Sequence, residues 1–304
     1  MRYPRVFVEG KEVDKSEAFK GKGPSSADVL IVCGQGVYEN GIYYGEYHDR
    51  DVYFDHAIQF PEIVKRFNFN TVVLSGGFTQ SRAPWLSEAE SFLRILHDAN
   101  VSAPQVPLIL DECALDSAEN LLFGLMTARL SLGTAPIRRV GIWAAWKFKK
   151  WRFNRNAEAL GIVEQTYVYS FAPSSDTNIQ VPPDVHTRKT FDQYEQDNKE
   201  NSLLRAENFK VKREGRWQNN RIDPDRDASI TALVRGAADS WLRSVPQDGT
   251  PQTSFDGHLC SQYLNRFAPF AQFKEVFDCL EKMESGKSAD EVGLKTVWQK
   301  IMTP

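Results

Sequence analysis

The strongest constraint on this chain is the order in which two kinds of apolar pattern alternate. Short apolar runs at 28–33, 71–74, 106–110, 139–145 and 163–171 are separated by longer segments with helical spacing. Residues 51–67 place Phe54, Ile58, Pro61, Val64 and Phe67 at such intervals, with Pro61 expected to kink the helix or begin a new one. Residues 87–100 carry Phe92, Leu93, Leu96 and Ala99, and Ser87 with Glu90 has the spacing of a capping box. A third helix should run from Asp116 or Ser117 to Leu132, stopped by Gly133 and Pro136. A fourth, basic and aromatic, covers 147–160 and ends at Gly161.

Strands too short and too uniformly apolar to have a wet face, each followed by a helix, imply a mostly parallel sheet covered on both faces. The expected fold is therefore α/β with a mostly parallel sheet. Right-handed crossovers put all the strand-to-helix loops on one edge. Loops 34–49, 75–86, 112–116 and 145–147 converge there, at the edge where open α/β sheets bind ligands near a topological switch point. After residue 172 the pattern changes. Pro173, Pro182 and Pro183 mark a connector, and 192–226 is dense in charge and amide. Helical spacing returns around 230–241, 270–280 and 292–301. The expected division is an α/β domain over 1–172, with a connector and helical C-terminal region over 173–304 packed on it.

Several function classes fall away on composition. Lys plus Arg is 37 and Asp plus Glu is 40, a net charge of -3, whereas a phosphate-backbone binder carries a positive excess. The apolar run at 29–33 is far shorter than the roughly 20 residues a membrane-spanning helix needs. Residues 1–5 hold no apolar signal core, which leads to the expectation of a cytoplasmic protein without a membrane span. Cys33, Cys113, Cys260 and Cys279 form no CxxC pair and read as buried reduced thiols.

Candidate ligand-binding residues cluster in the loops. Gly34, Gln35 and Gly36 follow the first strand, where glycines let backbone N–H groups approach a ligand. A dozen residues separate this turn from the next helix, so it is no dinucleotide fingerprint. Ser75, Gly76 and Gly77 after the second strand suit an anion-binding backbone nest, with Arg82 as a clamp for a carboxylate or phosphate. Asp116, Ser117, Glu119 and Asn120 fall in the first turn of the third helix, and Glu88 in that of the second. Capping accounts for acids and hydroxyls at such positions but less well for Asn120. Glu88, Glu112 and His48 are the candidate catalytic groups, His48 because its pKa lies near neutrality. The crowding of Tyr47, His48, Asp49, Arg50, Asp51, Asp55 and His56 matches no familiar metal-ligand spacing, so no metal is expected. Lys147 and Lys150 sit at a helix N-terminus, where cations oppose the macrodipole unless an anion lies nearby.

In this order the motifs resemble the YdcF-like family, which includes the SanA and ElyC proteins. The carriers are strand 28–33 with its glycine turn, Leu74-Ser75-Gly76-Gly77 followed by Ser87-Glu88-Ala89, and Asp111-Glu112 with Asp116-Ser117-Ala118-Glu119-Asn120. The likeness covers about residues 28–162, and 111–123 with 147–160 is most similar to the fungal branch. It implies a Rossmann-like domain, ligand roles for Gly76, Gly77, Glu88, Glu112, Ser117, Glu119 and Asn120, and S-adenosylmethionine as a candidate ligand. Many relatives carry a His and an Arg after the fourth strand, where this chain has Lys147 and Lys150. The function expected is binding of, or action on, an anionic or nucleotide-like small metabolite. Alternatives are a metal-assisted or His/carboxylate hydrolase or transferase, and a non-catalytic regulatory or envelope-linked protein.

Overall fold

Seven strands join into one sheet: β1 (Val6–Val8), β2 (Lys11–Val13), β3 (Ala27–Cys33), β6 (Thr71–Ser75), β7 (Leu108–Asp111), β8 (Ile137–Ala145) and β9 (Thr166–Phe171). The computed structural model describes residues 4–19, 26–45, 50–80, 82–83, 85–114, 117–145, 153–154, 156–157, 166–171, 268–284, 287 and 290–303. The strand order is β2-β1-β7-β6-β3-β8-β9. From β7 to β9 every pairing is parallel, while β1 joins β7 and β2 antiparallel at one edge. Counted along the chain, the five parallel strands stand in the order 3-2-1-4-5. That is the Rossmann arrangement, and its switch point lies between β3 and β8.

The central strand shows why these residues make a two-faced sheet. All but one residue of β3 are buried, and alternate side chains serve opposite faces. Val29, Ile31 and Cys33 pack with α4 (Ser117–Leu132), while Leu30 and Val32 pack with α2 (Arg50–Arg66) and α3 (Glu88–Asp98). Each such buried aliphatic side chain contributes about 1.5–3 kcal/mol over an exposed one. Both faces being covered, the strand has no polar side beyond Asp28 near its start, as the apolar run Val29–Cys33 requires.

The first three helices follow the expected spans with two shifts of face, while the helix expected over 147–160 lies largely outside the described residues. Helix α2 runs unbroken through Pro61 and buries Val52, Tyr53, His56, Ala57, Phe60 and Val64, so Phe54, Ile58 and Pro61 lie at the margin of its face. Helix α3 buries Phe92, Ile95 and Leu96 but exposes Ala99, which is its C-cap. Ser87 is its N-cap, accepting from Glu90 N at 3.0 Å. The Glu90 carboxylate does not complete the box; it meets Arg5 and Arg94 instead.

The C-terminal elements are a 3-10 turn (Ala268–Phe273), α5 (Lys274–Glu284) and α6 (Leu294–Met302). They join the core on the α4 side. Phe270 stacks on Phe123 with centroids 5.0 Å apart and planes 7° from parallel. Phe277, Leu294 and Trp298 enter the same cluster. The helical spacing at 230–241 and Cys260 lie outside the described residues, whereas Cys33, Cys113 and Cys279 are free and buried. Among the described residues no helix is long and apolar enough to cross a membrane.

Two short hairpins were not expected. One is β1–β2 at the sheet edge; the other, β4 (Val37–Glu39) with β5 (Ile42–Tyr44), lies within loop 34–49. Both turn on a pair of residues with positive φ, Glu9-Gly10 at 51° and 78° and Asn40-Gly41 at 50° and 82°. Type I′ turns require that sign at both central positions.

Candidate functional site

The carboxyl ends of β3, β6 and β7 bring together Gly34, Ser75-Gly76-Gly77 and Asp111-Glu112-Cys113, with the first turns of α3 and α4 beside them. Glu88, Glu112, Glu119 and Asn120 are all buried here, between 3% and 7% exposed. Gln35 is half-buried, Ser117 is half-buried, and Arg82 is exposed, with its Nη2 3.5 Å from Gly45 O. His48, Asp116, Lys147 and Lys150 lie outside the described residues.

The glycines serve the fold in a way their sequence did not disclose. Gly34 N donates to Ser75 O at 2.7 Å, Gly76 N to Asp111 O at 3.0 Å and Gly77 N to Ala114 O at 2.6 Å. These amides are taken up between neighbouring loops, so the expected anion nest at Ser75-Gly76-Gly77 lacks its donors. What the glycines supply is room. A Cβ on Gly34 would lie 2.5 Å from Glu88 Oε2 and 2.6 Å from Glu88 Cβ, and one on Gly76 would lie 2.7 Å from Glu88 Cβ. At Gly36 the corresponding space holds the Tyr43 hydroxyl, 2.6 Å away. Glu88 is thus seated over the glycine turns of both central strands, and Thr79 Oγ1 donates to its Oε1. Glu88 N and Ala89 N donate to Gly77 O and Gly76 O, so the head of α3 is fixed to the strand end.

Glu112 faces a different task. Arg5 Nε and Nη2 donate to its two oxygens at 3.2 and 2.9 Å, and Ser87 Oγ donates to Oε1 at 2.8 Å. Arg5 also reaches Glu90, and Arg94 links Glu90 to Glu39. A carboxylate held by a bidentate guanidinium in a buried setting anchors the chain segment before β1. The arrangement suits that anchoring better than the catalytic role read from the sequence.

Beneath Gly76 lies a polar triad that sequence reasoning passed over. Ser75 Oγ is 2.6 Å from Asp111 Oδ2 and 3.0 Å from Asn120 Oδ1. Cys113 N donates to Asp111 Oδ1 at 3.1 Å. Ser75 and Asp111 are fully buried. Burial pushes the Asp111 carboxyl up to about 7, against the Ser75 and Cys113 hydrogen bonds, with Glu119 and Glu112 adding to the rise. Its one sequence signal was an acid closing an apolar strand, a position that faces the ligand edge in this topology. Ser75, expected to touch ligand, sits below the surface and acts on Asn120 instead.

His56, nearly two helical turns into α2, is fully buried and stacked on Trp143, centroids 5.6 Å apart. Its Nε2 lies 3.1 Å from Trp143 O, and Trp143 Nε1 donates to His56 O. It braces α2 against β8. No group of three or more potential metal-ligating side chains occurs among the described residues.

Compared with family models, with curated proteins and with solved structures, the chain finds no match in any of the three.

Proposed function

We propose that this chain binds a small nucleoside-like metabolite, of the class of S-adenosylmethionine, at the carboxyl edge next to the β3–β8 switch point. The observation that carries the reading is the seating of Glu88. A carboxylate is held over the glycine turns of two adjacent parallel strands at the edge where such sheets take their ligands. It accepts hydrogen bonds from hydroxyls and attracts positive charge.

The charge balance narrows the ligand class. Glu88, Glu112 and Glu119 surround the described part of the edge, and Arg5 is engaged by Glu112 and Glu90. A polyphosphate there meets like charge, which costs binding free energy. S-adenosylmethionine brings ribose hydroxyls, an ammonium and a sulfonium to the acids, and a single carboxylate for basic groups such as Lys147 and Lys150. The resemblance to YdcF-like proteins points the same way. Thermal unfolding with S-adenosylmethionine, adenosine and ATP tests the reading. A ligand at 100 times its Kd adds about 2.7 kcal/mol of stability. The expected ranking is S-adenosylmethionine above adenosine above ATP; a shift with ATP alone, or with none, sinks it.

Acid–base chemistry is the second reading, favoured by the same Glu88. It predicts turnover that Glu88→Gln abolishes while ligand affinity persists.

A further inference from the structure

The far end of α4 carries two basic side chains and, among the described residues, no carboxylate paired with either. Arg129 stands on the last turn of the helix and is 5% exposed. Its Nη1 donates to Ile301 O of α6 at 3.2 Å, and its Nη2 to Gly133 O just past the helix end. Its Nε is buried and meets no acceptor. Lys15, from the short helix α1 (Lys15–Ala18), extends its ammonium to Leu130 O of the same turn. The nearby carboxylate of Asp14 accepts instead from Ser16 N and Oγ.

Main-chain carbonyls offset part of this charge. The C-terminal end of an α-helix carries the equivalent of about half a negative charge. Two full positive charges exceed it, and one of them is buried, where an uncompensated ion is costly. Burial holds the Arg129 guanidinium below its ordinary pKa, and burial and then the Arg129 charge do the same to Lys15. Both shifts have the sign expected of cations that lack an anion.

We propose that this end of α4 is a binding site for a small oxyanion, a carboxylate or phosphate group held between Arg129 and Lys15. The hydrogen count allows it. A guanidinium has five N–H donors and the two carbonyls take two, with Nε among those left over. An ammonium has three, of which Leu130 O takes one. Lys15 is exposed, so the anion enters from the α1 side. Once seated, it ties α1 to the end of α4, where Arg129 already grips α6 through Ile301. The site is separate from the carboxyl edge. Arg129 lies nine residues beyond Asn120, about 14 Å along the helix, towards the opposite edge of the sheet. It therefore stands or falls independently of the nucleoside-like ligand.

The test titrates sodium phosphate and sodium acetate into the full chain, each against sodium chloride at equal ionic strength so that general screening cancels. The Arg129 Nε–H resonance is followed in nitrogen–hydrogen correlation spectra and assigned by its loss in Arg129→Lys. The expected result is a saturable movement with phosphate or acetate that chloride does not give. Lys15→Met, at an exposed position, should weaken that binding about fivefold, the effect of one charge pair near a surface. Thermal unfolding of the wild type and Lys15→Met gives the same comparison if Arg129→Lys does not fold, since the bound oxyanion raises the midpoint. No response beyond that to chloride, or equal affinity in Lys15→Met, overturns the proposal.

Discussion

Replacing Asp111 by Asn should change the pH dependence of stability more than any other single substitution in the described chain. Asn has the shape of the protonated carboxyl and cannot ionise: Oδ1 can still accept from Cys113 N, and Nδ2 stands where Oδ2 meets Ser75 Oγ. In the folded protein the Asp111 carboxyl titrates at about 7, against an ordinary value of 3.8. Between those values the folded state keeps a proton that the unfolded chain has released. The unfolded state binds fewer protons, so stability falls as pH rises, steepest from about 5 to 6.5 and levelling above the folded pKa. Three units at 1.36 kcal/mol each give about 4 kcal/mol lost by pH 8. That is a large share of the 5–15 kcal/mol typical of a whole domain. Urea unfolding of both proteins at pH 5, 6, 7 and 8 isolates the effect, because the other acids cancel in the difference. Asp111→Asn should gain on the wild type by roughly 1.4 kcal/mol per unit between pH 5 and 6. A difference that stays constant across the range, or one that runs the other way, would refute the reasoning.

Other substitutions probe the site's construction. Gly34→Ala places a Cβ within 2.6 Å of Glu88 Cβ and should destabilise by about 1–3 kcal/mol, measured by denaturant midpoint. Because Glu88 is the neighbour it meets, Gly34→Ala combined with Glu88→Ala should cost less than the sum, a coupling a double-mutant cycle reads directly. Arg5→Ala leaves Glu112 buried without its cation and should cost about 3–5 kcal/mol in the same assay. Glu88→Gln should lower S-adenosylmethionine affinity in calorimetry while the unfolding midpoint stays within about 0.5 kcal/mol; equal affinity would remove Glu88 from the ligand site.

The sheet was legible because its signal is repeated. Four strand-and-helix units, closed by a fifth strand, each state the same period change, and the convergence of loops follows from handedness alone. The short antiparallel elements left weaker traces. Val6–Val8 and Val37–Glu39 have three residues each, too few for alternation to register. The Asn40-Gly41 pair between β4 and β5 was the available signal, since it demands a turn with two positive φ values. Read as part of a long loop, it was hidden by the glycine turn just before it. Arg5 could not be read at all, because an arginine before a three-residue strand carries no hint of a carboxylate 107 positions away.

The glycines mark a deeper limit. A glycine after a parallel strand says that something must come close, and the sequence does not say what. Here the approaching groups are the protein's own: Glu88 against Gly34 and Gly76, Tyr43 against Gly36, and the loop after β7 against Gly77. The carboxyl edge is thereby lined with side chains in place of bare amides, Glu88 foremost among them. Under the proposed function, such an edge favours hydroxyls and positive charge over phosphate. Asn120 was singled out because an amide in a helix's first turn does little for the helix. Asp111, which meets Ser75 from the neighbouring strand, closes a fully buried strand, where an acid reads as the end of an apolar run. The two are nine residues apart in sequence, and only the register of β6 with β7 puts Ser75 between them.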